Sequence, residues 1–176
     1  VIVHGGIYET LQTLQLEPQD SDLVIKAADG ETPEFLGAKK VEGFTKHEGS
    51  ILKADVSSLG LEKANVRQLL MDGERQILAR WPNYDANDPL YGGWAFVQDI
   101  PKGKDEGHKW KSELYVAEKD VRKWAHPEDV EIDIFAFYGW WNWIVPVKGF
   151  DEANRKLILA KDCGYDLHPN NRFHLQ

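Results

Sequence analysis

The 176-residue sequence contains a single cysteine, no long apolar run and no excess of basic residues. One cysteine, Cys163, excludes an internal disulfide and any metal site built from several cysteines. No stretch approaches the roughly 18 apolar residues that a membrane-spanning helix requires. The formal net charge of −8 repels phosphate backbones, and no cluster of lysines and arginines offsets that charge locally. We therefore expect neither nucleic acid nor a membrane as a partner.

The motifs of several common enzyme classes are also missing. The six histidines show no HExxH or similar zinc spacing, no serine lies in a GxSxG turn, and no glycine-rich loop matches a phosphate cradle. We predict no metal site and no cofactor. Calcium at "NYDANDP" is the one alternative, but Asp88 and Trp94 stand where a calcium loop has glycine and glutamate.

The pattern of apolar residues predicts a mainly β protein. Short apolar runs separated by polar turns fill the first forty residues, which fits either an antiparallel sandwich or a parallel solenoid. Longer strands and hairpins follow, and Asp72-Gly73 between two alternating runs predicts a hairpin with a type I′ turn. Val116, Val121 and Trp124 fall on a helical spacing that ends near Pro127, so "VAEKDVRKWAHPED" is the only predicted helix.

The start of the chain has no signal-peptide pattern. Its first residues, "VIVHGGIY", already have the composition of a strand followed by a glycine turn. Because a native chain rarely begins inside a strand, we expect this sequence to be part of a longer protein.

Several segments together resemble the N-terminal part of right-handed parallel β-helix proteins, the pectin-lyase-like glycoside hydrolases. The opening segments resemble the first coils of such a helix, and the later ones resemble a β-domain inserted into it. The segments that carry the resemblance are "VIVHGGIY", "LVIKAADGETPEFLGAKKVEGF", "RQLLMDGERQILARWPN", "WAHPEDVEIDIFAFYGWW" and "NRFHLQ".

The resemblance implies the first coils of a β-helix at residues 1–44 and an inserted antiparallel β-sandwich or barrel, with one short helix, at residues 45–176. It also implies that the coils carrying the family's catalytic carboxylates lie beyond Gln176, so no catalytic residue is transferred. The parent protein would be a glycoside hydrolase, or alternatively a lyase. It would be extracellular or periplasmic and would act on a polysaccharide, while this part packs against the remainder of its own β-helix.

The segment "FAFYGWWNWIVPV" is the richest in aromatic residues. Flat indoles serve as stacking platforms for sugar rings, so Trp141 and Trp143, which share one face of a strand, are candidate sugar contacts. The competing interpretation is that both indoles pack against other strands. In that interpretation an inward stripe is formed by Ile132, Ile134, Ala136, Tyr138 and Trp140.

Two further groups of polar residues are candidate sites. Glu131 and Asp133 lie two apart in one strand, so their carboxylates leave the same face about 7 Å apart. That separation suits an inverting glycosidase, although a half-solvated strand has the same alternation. In "RWPNYD", an arginine beside an indole and a carboxylate is able to hold a uronate or a hydroxyl pair, or alternatively to form an ion pair and a turn. The residues in question are Arg80, Trp81 and Asp85.

The sequence leads to three functional hypotheses. The first is a non-catalytic N-terminal segment of a secreted, carbohydrate-active β-helix protein. The second is a stand-alone carbohydrate-binding module with surface tryptophans as platforms, namely Trp81, Trp94, Trp141 or Trp143. The third is a purely structural solenoid segment, which predicts no sugar binding.

Overall fold

The structure, a computed structural model, describes residues 1–61, 66–101 and 109–176. It is mainly β, as predicted, with 32% of residues in strands and 9% in helical turns. The chain forms two compact units, Val1–Val66 and Arg67–Gln176. The boundary expected at residues 44 and 45 concerns an insertion into a longer chain and stays a prediction.

The first unit contains three two-stranded sheets, two of which are parallel. In the first parallel pair Ile2 is opposite Lys26, and in the second Gly6 is opposite Pro33. A third, antiparallel pair carries a bulge between Lys46 and Glu48. The strands are β1 (Ile2–Val3), β2 (Gly6–Glu9), β3 (Lys26–Ala27), β4 (Pro33–Leu36), β5 (Thr45–Glu48) and β6 (Ile51–Lys53).

Glu31 joins the two parallel pairs at a corner of the chain. Its carboxylate accepts a hydrogen bond from the backbone N–H of Gly5 at 2.6 Å and lies 3.1 Å from Nδ1 of His4. Both interactions hold the pKa of Glu31 below its ordinary value, and the hydrogen bond from Gly5 has the larger effect. The ring of Tyr8 on β2 also stacks on that of Phe35 on β4, with centroids 5.4 Å apart.

The second unit is built on a six-stranded antiparallel sheet that forms a half-barrel. The order of its strands is β10-β13-β12-β11-β14-β9, and a separate hairpin, β7-β8, precedes it. The strands are β7 (Leu70–Met71), β8 (Glu74–Arg75), β9 (Ala95–Phe96), β10 (Glu113–Tyr115), β11 (Glu131–Phe135), β12 (Asn142–Asp151), β13 (Lys156–Leu159) and β14 (Arg172–Leu175).

The segment after β9 approaches the opposite edge of the sheet. The N–H of Gln98 donates to the carbonyl of Tyr115 in β10, and the N–H of Tyr115 donates to the carbonyl of Asp99, both at 2.8 Å. These bonds connect the two outer strands of the sheet. Closing the edges in this way leaves fewer backbone groups free to pair with other chains.

The core of the half-barrel fills its concave face. Strand β11 buries Ile132 and Ile134 completely, while β14 buries Phe173 and Leu175 and β12 buries Val145. Residues between them point to the other face because side chains alternate along a strand. Each fully buried aliphatic or aromatic side chain contributes about 1.5–3 kcal/mol to stability, so this layer holds the sheet together.

The predicted hairpin is confirmed. Strands β7 and β8 pair antiparallel around Asp72 and Gly73, which have φ values of 52° and 80°. Positive φ at both central residues is the geometry of a type I′ turn. Strands β12 and β13 likewise pair antiparallel around the turn that joins Asp151 to Lys156.

The predicted helix at residues 116–129 is wrong. Two short 3-10 turns, Glu118–Asp120 and Pro127–Asp129, occupy this segment, and Val121 between them is extended. The N–H of Val116 donates to the carbonyl of Arg155 at 2.9 Å, which ties the start of the segment to the β12-β13 turn, and the 3-10 turns are closed by local bonds such as that from the N–H of Asp120 to the carbonyl of Ala117 at 2.9 Å. Val116, Val121 and Trp124 pack on the core, which explains their apolar spacing without a helix.

The predicted inward stripe is correct only as far as Ala136. Strand β11 ends at Phe135, and positive φ values at Phe137 and Gly139 turn the chain into a hairpin loop. Tyr138 and Trp140 are consequently exposed, by 62% and 65%. A period-two pattern holds only while the chain remains a strand, and the turn at Phe137 ends it.

Cys163 is a buried core residue. Burial, and to a smaller extent the nearby carboxylate of Asp162, raise the pKa of its thiol to about 12. A thiol in this state is a poor nucleophile at neutral pH because the thiolate is the reactive form. The residue therefore acts as a small apolar side chain in the core.

We predict that Gly164→Ala destabilises the protein by about 1–3 kcal/mol, the usual effect of overpacking. A β-carbon at Gly164 would overlap the indole of Trp143, which packs against the core. Urea unfolding measures the change. The control is Gly149→Ala, because a β-carbon at that position meets no atom within 4 Å. Equal stability of the two variants would contradict this packing of Trp143.

Candidate functional site: an arginine-lined groove

The outer face of the six-stranded sheet is polar where β11 and β14 pair. Glu131 and Asp133 leave this face of β11, and Asp133 is directly opposite His174 of β14. Oδ2 of Asp133 lies 4.0 Å from Nε2 of His174, while its Oδ1 accepts a hydrogen bond from Asn142 at 3.1 Å. The alternation that buries Ile132 and Ile134 thus places acid and imidazole groups side by side on the opposite face.

A groove runs over this polar face. The loop segment after the β7-β8 hairpin forms one side, and β11 and β14 form the other. The lining includes guanidinium, phenol, carboxylate, imidazole and amide groups, from Arg67, Arg75, Gln76, Ile77, Leu78, Arg80, Tyr84, Asp133, His174 and Gln176.

The three arginines of the groove differ in how they are held. Arg67 forms a bidentate ion pair with Glu131, at 2.6 and 3.0 Å, so each neutralises the other. Arg80 donates from Nε to the carbonyl of Pro82 at 3.1 Å and from Nη2 to the carbonyl of Gly93. Arg75 is exposed at the end of β8. Within the described ranges, neither Arg75 nor Arg80 has a carboxylate within ion-pair distance.

The groove consequently carries a positive excess within an acidic protein. Two guanidinium groups, those of Arg75 and Arg80, face one unneutralised carboxylate, that of Asp133. Partial burial lowers the pKa of Arg80, and the negative charge of Asp133 opposes this shift. A local cation excess attracts anions even where the net charge of the molecule is negative.

His174 is the most buried titratable group of the groove. Burial lowers the pKa of His174, and the positive charge of Arg80 lowers it further, while Gln176 and Asp133 act in the opposite direction. Its Nε2 lies 3.1 Å from the side-chain oxygen of Gln176, and its Nδ1 is buried without a hydrogen-bond partner among the described residues. The ring is therefore neutral at physiological pH.

Trp94 and Trp81, both expected as sugar platforms, are engaged by arginines of the protein itself. The guanidinium groups of Arg80 and Arg172 lie 4.7 and 5.0 Å from the ring centre of Trp94. That of Arg122 lies 3.4 Å from the ring centre of Trp81. These cation–π contacts use ring faces that a sugar would need. Trp94 is best regarded as the support that orients Arg80 in the groove.

Asp85 lies in a tight turn and does not line the groove. Its Oδ1 accepts hydrogen bonds from the N–H groups of Asn87 and Asp88 at 2.9 and 3.3 Å. Asp88 in turn accepts one from the N–H of Tyr91 at 3.1 Å. These hydrogen bonds show that both carboxylates bind backbone N–H groups of the turn. The predicted contribution of Asp85 to sugar binding and the calcium alternative at this loop both stay predictions.

Trp141 and Trp143 lie at the hairpin that joins β11 to β12, away from the groove lining. Trp141 is 52% exposed, and its indole is nearly perpendicular to that of Trp140, at 86°. Trp143 is half-buried and packs edge-on against Tyr165. Of the two side chains, that of Trp141 is the more exposed to solvent.

Glu131 and Asp133, the candidate carboxylate pair, share one face as predicted from their spacing. Glu131 is held by Arg67 and Asp133 by Asn142. Both carboxylates are thus bound by side chains of the protein itself, and the predicted catalytic role of the pair stays a prediction.

The groove residues that the sequence did not single out as site residues include Arg67, Arg75, Tyr84 and His174. A signal for one of them was present in "RFHLQ", where Phe173 and Leu175 alternate with polar residues. Alternation predicts that His174 shares a face with its polar neighbours, but it does not say which strand lies beside it.

Comparisons with known proteins give no match. No protein-family model fits the sequence, and neither a curated protein nor a solved structure is significantly similar to it. Within the described ranges, no helical segment has the length and apolar character needed to cross a membrane.

We predict that stability falls as the pH drops below the ordinary histidine pKa of about 6.5, partly because of His174. The folded-state pKa is lowered, so the unfolded chain binds this proton more readily. The neutral ring of His174 contributes fully to the free energy of unfolding above the ordinary pKa of about 6.5. That contribution is lost as the pH falls toward the lower pKa of the folded state. Urea unfolding of His174→Gln between neutral and mildly acidic pH should show a shallower pH dependence. An unchanged dependence would contradict the assigned burial.

Proposed function

We propose that this chain is the non-catalytic N-terminal part of a secreted, carbohydrate-active β-helix protein, and that its groove binds the carboxylate of an acidic sugar. The observation that carries the proposal is the pair of guanidinium groups, Arg75 and Arg80, that face the groove without a carboxylate partner among the described residues. Guanidinium groups bind carboxylates through two parallel hydrogen bonds, which gives both strength and orientation.

The neighbours of these arginines suit a sugar acid better than a simple anion. Asp133 accepts hydrogen bonds, and Tyr84 presents an exposed phenol hydroxyl. A uronate offers a carboxylate to the arginines and hydroxyl groups to Asp133 and Tyr84 at the same time. Inorganic phosphate has no comparable set of sugar hydroxyl groups for Asp133 and Tyr84 to bind. The mixture of donors and acceptors therefore favours a hydroxylated carboxylate.

The first unit supports the β-helix part of the proposal. Strands β1 and β2 pair in parallel with β3 and β4 in the same order, at offsets of 24 residues for Ile2 and Lys26 and 27 for Gly6 and Pro33. A chain that makes one circuit and returns beside itself has this pattern. Ile7, Val24 and Phe35 among others are exposed, as expected of a coil on which further coils stack.

The parent protein in this proposal is a glycoside hydrolase or a lyase, located outside the cell or in the periplasm. Its partners would be a polysaccharide and the remainder of its own β-helix. A stand-alone carbohydrate-binding module is the second candidate, favoured by the exposed indoles of Trp140 and Trp141. Both candidates require sugar binding, whereas a purely structural solenoid does not.

We expect the protein to bind an oligogalacturonate, and Arg75→Gln to weaken this binding about tenfold, the effect of losing one charge-assisted hydrogen-bonded contact. Isothermal titration calorimetry measures the dissociation constant, and higher ionic strength should raise it. Arg155→Gln is the matched control, because Arg155 is an exposed arginine in the β12-β13 turn outside the groove lining. An equal effect of both substitutions, or no binding by the unmodified protein, would contradict the groove assignment.

The 176-residue chain should not cleave the polysaccharides to which it binds. Glu131 and Asp133 are engaged by Arg67 and Asn142 rather than set apart as acid and base. Reducing-end and unsaturated-product assays on plant and algal polysaccharides check this for hydrolysis and elimination respectively. Turnover above the level of a Glu131→Gln, Asp133→Asn double variant would overturn the non-catalytic assignment.

A further inference from the structure

A second depression lies at the end of the sheet, between the β11-β12 hairpin loop and the segment that precedes β14. It is lined by Phe137, Tyr138, Gly139, His168, Pro169, Asn170 and Asn171. None of these is a lysine, an arginine or an acidic residue, in contrast with the arginine-lined groove. A ligand of this depression would therefore be neutral.

Asn171 fixes the shape of the depression from below. The residue is only 8% exposed, and its Oδ1 accepts hydrogen bonds from the N–H of Phe137 at 3.2 Å and the N–H of His168 at 2.7 Å. Since both partners are donors, the accepting atom must be the oxygen. One side chain thus ties the hairpin loop to the opposite segment.

The amide nitrogen of the same residue is left as a donor. Among the described residues, Nδ2 of Asn171 donates to no protein acceptor, and it is not one of the fully buried unpartnered atoms, so solvent reaches it. Asn171 also lines the depression. The nitrogen is therefore available to an acceptor atom that enters the depression.

Aromatic rings form the walls above this donor. Phe137 packs edge-on against Tyr138 and against His168, with ring centres 4.4 and 4.7 Å apart. Tyr138 also contacts Tyr165 at 5.6 Å and Trp140 at 6.3 Å. These contacts pack the rings of the hairpin loop together, while Tyr138 and its neighbour Trp140 remain 62% and 65% exposed.

We propose that this depression is a second carbohydrate subsite, which takes a neutral pyranose residue. The apolar C–H face of the sugar packs on the exposed rings of Tyr138 and Trp140, and a sugar oxygen accepts a hydrogen bond from Nδ2 of Asn171. The inference rests on the proposed carbohydrate-binding function and deepens it, because it gives the chain separate places for an acidic and a neutral sugar.

Asn171→Asp tests the subsite without removing its structural hydrogen bonds. Aspartate still accepts from the N–H groups of Phe137 and His168, but it has an oxygen in place of the donor. Cellohexaose, xylohexaose and mannohexaose are titrated separately and followed by intrinsic tryptophan fluorescence and by saturation-transfer NMR. We expect at least one to bind, and Asn171→Asp to weaken that binding about tenfold while thermal unfolding stays close to that of the unmodified protein.

Tyr138→Ala provides an independent test of the stacking contact, because an exposed residue is replaced without a change in the core. We expect it also to weaken the binding of the neutral hexasaccharide about tenfold. Tyr91→Ala is its matched control, since Tyr91 is equally an exposed loop tyrosine but does not line the depression. A similar loss in Tyr91→Ala, or no loss in Tyr138→Ala, would overturn the subsite.

The outcomes separate this inference from the proposed function. If an oligogalacturonate binds and none of the three neutral hexasaccharides does, the second subsite is wrong and the arginine-lined groove stands. If neutral sugars bind and respond to both tyrosine and asparagine substitutions but no oligogalacturonate binds, the subsite stands and the groove assignment fails. If no sugar of either kind binds, both proposals are wrong.

Discussion

The alternation of side chains in β11 is the constraint on which the second unit depends. Ile132 and Ile134 must face the core, so Glu131 and Asp133 must face outward, and a shift of one residue would reverse all four. Strand β11 is paired on both sides, by β12 and by β14, which fixes this register. The same pairing that forms the core therefore also places Asp133 beside His174 in the groove.

The two candidate sugar sites arise at different places along this strand and have different chemistry. The groove lies over the middle of β11 and β14 and contains two guanidinium groups that have no carboxylate partner in the described part of the chain, which suits a carboxylate ligand. The depression lies where β11 ends and the chain turns at Phe137, and it is uncharged and aromatic. Acidic polysaccharides commonly expose both a carboxylate and apolar ring faces, so the two sites are complementary within one unit.

Local features of the fold could be predicted from the sequence, and features that join distant segments could not. Asp72-Gly73 defines a turn by its own backbone preference, and the alternation around Ile132 defines a strand. The segment containing Val121 has helical spacing, but it forms short 3-10 turns whose start is tied to Arg155 by the N–H of Val116, and a local pattern does not show that long-range bond. The turn at Phe137, just after the end of β11, is held by Asn171, whose Oδ1 accepts the N–H of Phe137 from 34 residues away in the sequence.

In the candidate site, too, a local feature could be predicted and the contacts between distant segments could not. Arg80 was predicted from its neighbours in "RWPNYD", and the structure places it in the groove with Trp94 behind it. Arg75 and His174 lie 99 positions apart in the chain, so only the sheet pairing brings them to one groove. Asp85, although next to Arg80 in the sequence motif, closes a turn. Proximity in sequence thus pointed to one member of the candidate site, Arg80, and not to the residues that the sheet brings beside it.

The most direct measurement is nitrogen-resolved NMR of the arginine side chains during titration with trigalacturonate. The groove predicts saturable shifts of the Nε–Hε signals of Arg75 and Arg80, because both guanidinium groups would bind the carboxylates of the sugar. Arg155 in the β12-β13 turn should show no such shift. Signals of Arg75 and Arg80 that remain unchanged while the sugar binds would contradict the assignment of the groove as the place where an acidic sugar is recognised.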